Sequence, residues 1–256
     1  MINEMPDMKG CWTVGRKPVQ EVLFAKPEQV DLVYIQENIR SHALERIVDV
    51  CKSQKVRFRR VSDAEMQRIH PGNNQGVLAR VFQPGFSNMP AVLERLANAP
   101  LPLVLALDQI QDPGNLGTLA RSLLALGGAG VILPKNRTAF PGAAASRASA
   151  GALNQLPVAQ VTNLARSLEY CEEQGCTVYG TVIDAKEGEN LFTFSPSFPA
   201  VLVLGNEDKG IRPNVLKRCV RKLYIPMPGS MQSLNVAQAG AMALAMFARS
   251  RDGQNR

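Results

Sequence analysis

Three short stretches collect the side chains that could do chemistry, and each follows an apolar run. Residues 105–122 read LALDQIQDPGNLGTLARS, with Asn115 and Arg121 after an Asp-Pro-Gly break. Asn115 is placed to cap the helix that follows, which would leave backbone N–H groups free for an anion. Arg121 lies six residues on, about 600° of helical rotation. The two converge only if Asn115 sits in the loop before the first turn. Residues 202–211, LVLGNEDKGI, set Glu207 between Gly205 and Gly210. Glycine lets the backbone pass close to a ligand, and Glu207 can accept hydrogen bonds from that ligand or orient a basic group. Residues 224–247, YIPMPGSMQSLNVAQAGAMALAMF, pass through a Pro-Gly loop to Ser233 and Asn235 and then into a helix of small residues that permits close packing. Each stretch also has a plain structural explanation: a capped helix with a surface arginine, a polar strand-to-helix turn, and a second cap from Ser233 or Asn235.

The elements that must hold these side chains are strands. PLVLALD, GVILP, TVYGTVI, AVLVLGN and KLYIPM are continuous apolar runs, the pattern of parallel strands buried on both faces. Helical patterns separate them, which predicts an open α/β sheet over residues 99–250. In such sheets ligands bind beyond the carboxyl ends of the strands, where the three stretches lie. Residues 12–82 form a smaller α/β domain, with helices at VQEVLFAK and SHALERIVDVCKSQ, strands at DLVYIQ, VRFRRV and GVLARVF, and a turn-rich HPGNNQG loop. Residues 83–98, QPGFSNMPAVLERLAN, read as the linker between them. The polar tail after Phe247 is expected to fray.

Several function classes drop out. No GxGxxG opens a helix after the first strand, so a standard dinucleotide site is unsupported, and no P-loop lysine motif is present. LGGAGV at 126–131 reads as a helix end leading into a strand. The five cysteines (Cys11, Cys51, Cys171, Cys176, Cys219) form no CxxC pair and have only His42 and His70 to join them, so no metal site is expected. No run of 18 apolar residues suggests a membrane span. The start, MINEMPDMKGCWTVG, carries acids and lacks an apolar core, so a cytoplasmic location without a signal peptide is expected. The net charge of +7 and pI of about 9.3 suit a polyanionic partner. Aromatics are only 5% of the chain, which argues against an aromatic stacking platform as the way RNA is read. Lys52, Lys55, Arg57, Arg59 and Arg60 make a locally basic stretch. A strand there would turn Lys55, Arg57 and Arg59 to one face, as an RNA contact or as an ordinary solvated face.

DPGNLGTLARS, LVLGNEDKGI and IPMPGSMQSLNVA, in that order, closely resemble the motifs of the SpoU (TrmH-like) branch of the SPOUT RNA methyltransferases, and the likeness covers residues 103–247. RASAGALNQLPV and NLARSLE between them also look like the family. GRKPVQEVL at 15–23 and HPGNNQGVLARV at 70–81 are similar to the small ribosomal-protein-like substrate-binding domain of the ribosomal-RNA members, which adds Arg16 to the RNA-binding candidates. The resemblance implies S-adenosylmethionine as cofactor and methyl transfer to a ribose 2′-hydroxyl, on ribosomal RNA more than transfer RNA, often at guanosine. It implies a deep trefoil knot in the second domain, an exception to the usual connection rules, and a homodimer whose active site is completed across the interface. Carried over residue by residue, Asn115, Arg121, Glu207 and Asn235 are the catalytic candidates. Gly205, Ile225 and Leu234 are the cofactor contacts, with Leu204, Met227 and Ser233 added. Arg121 is expected to grip the neighbouring phosphate, with Glu207 holding Arg121 or Asn115; arginine stays protonated, so it is a poor general base. Two departures stand out: Ala237 replaces the serine that usually closes the third motif, and Asp208-Lys209 makes the Glu207 loop more charged. Rival readings are a non-catalytic RNA-binding paralogue, for which Ala237 speaks, and a nucleotide-dependent doubly wound enzyme, which lacks its glycine fingerprint.

Overall fold

The computed structural model describes residues 10–39, 41–82, 85–230 and 233–254. The chain divides into two compact units, Met1–Pro84 with Gly142–Ala144 and Gly85–Pro141 with Ala145–Arg256.

The first unit runs β1 (Gly10–Val14), α1 (Arg16–Ala25), β2 (Val30–Gln36), α2 (His42–Ser53), β3 (Phe58–Val61), α3 (Asp63–Ile69) and β4 (Val77–Phe82). Its strands form one sheet in the order β1-β4-β2-β3. Strand alternation divides the side chains. Val33, Ile35, Ala79 and Val81 pack with Val19 and Leu23 of α1 and Leu44 and Ile47 of α2, while Leu78 on the other face meets Met66 of α3. Lys55 does not join a strand as expected. It sits in the turn after α2 with φ at +54°, and Arg57 directly precedes β3, so of the three only Arg59 lies in the strand.

The remaining elements are β5 (Phe86–Ser87), α4 (Met89–Asn98), β6 (Leu103–Leu107), α5 (Pro113–Ala125), β7 (Gly130–Pro134), α6 (Ala143–Ala148), β8 (Val158–Val161), α7 (Leu164–Glu173), β9 (Thr177–Thr181), β10 (Glu189–Asn190), β11 (Ala200–Leu204), α8 (Pro213–Leu216), β12 (Arg221–Tyr224) and α9 (Val236–Gln254). Eight strands form a sheet in the order β10-β12-β9-β11-β6-β7-β8-β5, parallel throughout. All five apolar runs lie in it. Their continuous hydrophobicity has the expected cause: Leu103, Leu105 and Leu107 face one core, and Val104 and Ala106 face the other. Helices α5 and α9 cover the first face, and α4 and α7 cover the second.

Two expectations need correction. The stretch read as a linker belongs to the larger unit: Phe86–Ser87 pairs with β8 at the sheet edge, and α4 buries Val92 and Leu96. Its polar residues are the outer face of an amphipathic helix. Residues 83 and 84 lie outside the described residues. The tail after Phe247 is helical to Gln254, and Arg251 sits over the Phe198 ring at 5.9 Å. The small residues of the last helix serve its close approach to α5. A Cβ on Gly240 would lie 2.3 Å from Leu119 Cδ2 and 2.7 Å from Leu204 Cδ1. Among the described residues no helix is long and apolar enough to cross a membrane, and no group of His, Cys, Asp and Glu could hold a metal ion.

Candidate active site

The three stretches meet beyond the carboxyl ends of β6, β11 and β12. Asp112, not Asn115, caps α5: its Oδ2 accepts the Asn115 backbone N–H at 3.0 Å. Asn115 is therefore the third residue of the helix, and its side chain is free for other work. Its Nδ2 donates to Glu207 Oε1 at 2.7 Å, and its Oδ1 accepts from Asn235 Nδ2 at 3.2 Å. Asn235 Nδ2 also donates to Glu207 Oε1, at 2.8 Å. An ionised carboxylate only accepts, so Glu207 dictates that both carboxamides present their N–H groups to it. That leaves Asn235 Oδ1 for the helix behind it, where it accepts from the backbone of Ala237 at 2.9 Å and Gln238 at 3.4 Å. Asn235 thus caps α9 and closes the network with one side chain.

The missing serine at position 237 costs this network nothing. Ala237 is 6% exposed and packs in the core, and its N–H serves the cap. Asp208 and Lys209 are exposed, and their N–H groups donate to Asn206 Oδ1 at 3.1 and 3.2 Å.

A second set of side chains, not singled out in the sequence, holds the Glu207 loop. Asn206 and Gly210 pair across the turn at 3.1 and 2.8 Å, with Gly210 at φ +66°. Asn206 Nδ2 donates to the Gln109 carbonyl at 3.1 Å. Fully buried Asp108 accepts from Arg212 through its backbone N–H at 2.8 Å, Nε at 2.9 Å and Nη2 at 2.7 Å. An aspartate closing a hydrophobic strand, as in LALD, was the available signal, since a charge so placed needs a partner. Gly205 is required by space: a Cβ there would lie 2.3 Å from Gly210 C and Ile211 N.

Beside the network opens a cleft lined mainly by apolar side chains, the kind of concave surface that small molecules occupy. Gly205, Ile225, Met227, Ser233 and Leu234, the candidate cofactor contacts, line it together with Glu207. Leu204 does not. Its side chain is 1% exposed and packs in the core, because alternation along β11 turns it towards α9 rather than past the strand end. Thr181 at the end of β9 and Val182 and Ile183 after it line the cleft as well, with Ala239 and Ala243 of α9. The rule that ligands sit at strand ends would have found the β9 residues in TVYGTVI. Ile183 is 60% exposed, unusual for a large apolar side chain. Met231 and Gln232 of the third motif lie outside the described residues.

Arg121 is the candidate that the chain does not bring to the network. Because Asn115 is already inside α5, the six-residue spacing turns Arg121 away. It is exposed and makes no hydrogen bond or ion pair with the described residues, so Glu207 holds Asn115 and not Arg121. In the first unit, Arg16 pins the HPGNNQG loop, donating from Nε to the Gln75 carbonyl at 2.9 Å and from its backbone to Gln75 Oε1 at 3.1 Å. Arg57 reaches Asp31 at 2.9 Å, and Arg59 reaches Glu65 at 3.2 Å.

A parallel α/β sheet with a carboxylate–carboxamide network beside an apolar strand-end cleft is the arrangement of a small-molecule-binding α/β domain. Comparison with known proteins makes it particular. Residues 102–245 match the SpoU rRNA Methylase family, and residues 12–87 match a family described as RNA 2'-O ribose methyltransferase substrate binding. The chain belongs to the SpoU rRNA methylase family. It is 33% identical over 241 residues to the 23S rRNA (guanosine-2'-O-)-methyltransferase RlmB of Acinetobacter baylyi, covering 93% of this chain and 97% of that one. It is 36% identical over 242 residues to an uncharacterized tRNA/rRNA methyltransferase of Mycobacterium avium, covering 94% of this chain and 77% of that one. Its fold is like that of the SpoU methyltransferase AviRb from Streptomyces viridochromogenes, solved in complex with AdoMet, at a TM-score of 0.60 and 24% identity over 95% of this chain and 91% of that one.

Proposed function

We propose that this chain transfers the methyl group of S-adenosylmethionine to a ribose 2′-hydroxyl of ribosomal RNA, at a guanosine. The observation that carries the reading is the Asn115–Glu207–Asn235 network at the rim of the cleft. The cleft suits the cofactor: Val182, Ile183, Ile225 and Leu234 offer apolar surface, and Gly205 lets the Gly210–Ile211 backbone close against the strand end that lines it. Bound there, S-adenosylmethionine supplies a methyl group already activated by its sulfonium. What the protein adds is placement, which can lower a barrier by several kcal/mol. Asn115 and Glu207 hold the ribose hydroxyls in line, with Asn235 fixing both. Arg121 binds the adjoining phosphate and stabilises the alkoxide that forms as the 2′-hydroxyl gives its proton to water and its oxygen takes the methyl group, leaving the sulfur as a neutral thioether.

The chain acts as a homodimer, with Arg121 delivered to the site of the second copy. Support comes from its outward position and from exposed Leu126 after α5 and exposed Met242 on α9. The proposal includes a trefoil knot in the second unit, which membership of the family supports, and a cytoplasmic site of action, which an RNA substrate supports. Ribosomal RNA is preferred to transfer RNA because of the first unit, whose likeness is to a substrate-binding domain. Incubation with labelled S-adenosylmethionine and unmodified ribosomal or transfer RNA transcripts tests this. Label on ribosomal RNA, lost in Asn115→Ala, supports the proposal; label only on transfer RNA corrects the substrate; absence of cofactor binding by calorimetry rejects the enzyme.

A further inference from the structure

The first unit carries two aromatic rings and two fixed arginines on one face of its sheet. Strand registers align Trp12, Arg80 and Leu32 in one row and Val14, Leu78, Tyr34 and Arg59 in the next. Alternation turns both rows to the face opposite α1 and α2. Helix α3 packs on this face, and Trp12 and Tyr34 are half-buried against the Met66 and Leu78 cluster, each keeping part of its surface exposed, with ring centroids 5.8 Å apart and planes at 52°.

The arginines are held from below. The register of β2 against β4 shifts between Val30 and Leu32, and there Asp31 lies with its side chain 1% exposed. It accepts from Arg57 Nη2 at 2.9 Å and Arg80 Nε at 2.7 Å. The two guanidinium groups are thereby tied to one carboxylate, with Arg80 in register with Trp12 on the neighbouring strand, while their side chains stay 53% and 31% exposed. Anchoring two arginines on one buried carboxylate removes the entropy they would otherwise lose on gripping a ligand. Residues 10–82 carry twelve Lys and Arg against eight Asp and Glu, a net +4. Rings that accept stacked bases beside guanidiniums that accept phosphates are the chemistry that recognises unpaired RNA. A duplex, with its bases already stacked inside, offers nothing to the rings.

We infer that this face docks an unpaired RNA segment, with bases on Trp12 and Tyr34 and the backbone along Arg57 and Arg80. The inference rests on the chain being an RNA methyltransferase and adds where, and in what form, its substrate is held.

Trp12 is the only tryptophan, so its emission reports on this face alone. The full-length protein is titrated at low salt with an unstructured RNA of about 12 nucleotides and with the same sequence as a duplex. The single strand should quench Trp12, and the duplex should do so far less. Trp12→Leu should weaken binding about tenfold, Trp12→Phe should retain most of it, and Arg57→Gln should flatten the salt dependence. Thermal melts of each variant separate lost binding from lost fold, and Trp12→Phe keeps an aromatic variant available if Trp12→Leu does not fold. Single-stranded RNA that binds with Trp12 emission unmoved and an aromatic-independent affinity overturns the platform but leaves RNA recognition intact. No RNA binding at low salt removes the underlying methyltransferase reading instead.

Discussion

Asn235 offers the sharpest separation of structure from chemistry, because its two amide atoms do different jobs. Oδ1 caps α9, and Nδ2 holds Glu207 and Asn115. Asn235→Asp keeps a cap of equal quality, since Asp and Asn rank together at that position. It replaces the donor with an oxygen, 2.8 Å from a carboxylate oxygen in the native geometry. A hydrogen bond to a charged group contributes about 1.5–3 kcal/mol; Asn235 and Glu207 are solvent-exposed, so the lower half of that range applies. Repulsion between the two carboxylates adds about 1 kcal/mol even at the dielectric of water. Together, about 2.5–3 kcal/mol lost in the transition state lowers kcat roughly 100-fold. Asn235→Ser keeps the cap and removes the donor without adding charge, and should lose about tenfold. Neither variant should lower folding stability by more than about 1 kcal/mol, as the cap survives. Steady-state methyl transfer with urea unfolding measures both. Wild-type kcat in Asn235→Asp would refute the claim that the network orders the reacting groups, and collapse of the fold would refute the claim that its cap is separable.

Asp108→Ala removes the anchor of the Glu207 loop. Because Arg212 is one-third exposed and can turn to water, the loss should be about 2–3 kcal/mol rather than the larger cost of a fully buried orphan, read from urea denaturation. Gly205→Ala forces a Cβ to within 2.3 Å of backbone atoms, so cofactor affinity by calorimetry should fall at least tenfold while the two sheets stay folded. Burial raises the thiols of Cys171 and Cys219 to about 12 and that of Cys51 to about 11. The folded state therefore favours the protonated thiols. Their contribution to stability is complete below about pH 9 and is lost as pH rises through the folded values. Alkylation at pH 8 should be slow in buffer and fast in denaturant, and unfolding stability should decline above pH 9.

The sheet was legible because burial on both faces writes itself as unbroken apolar runs, as in LVLAL and AVLVL. The two-residue strands β5 and β10 were not, since so short a pairing has no period to detect. Helix α4 was read as part of a linker, because a polar connection and the outer face of an amphipathic helix look alike in sequence. Within the site, the spacing of Asn115 and Arg121 left two geometries open, and the Asp112 cap decided between them. Asp108 went unread for a different reason: its partner Arg212 is 104 residues away, and no local pattern joins them. The low aromatic content argued against a stacking surface, yet composition says nothing of where two rings meet. Trp12 and Tyr34 are 22 positions apart in the chain, and their rings meet across the strand that separates β1 from β2.

The central claim is methyl transfer to a ribose 2′-hydroxyl. Mapping 2′-O-methylated nucleotides in total RNA from cells with and without this gene, and with the gene carrying Asn115→Ala, tests it most directly. One ribosomal RNA guanosine should lose its 2′-O-methyl group in the deletion and in the Asn115→Ala strain, and regain it with the native gene. An unchanged set of 2′-O-methyl sites across all RNA classes in the deletion, with the protein normally expressed in the parent, would contradict it.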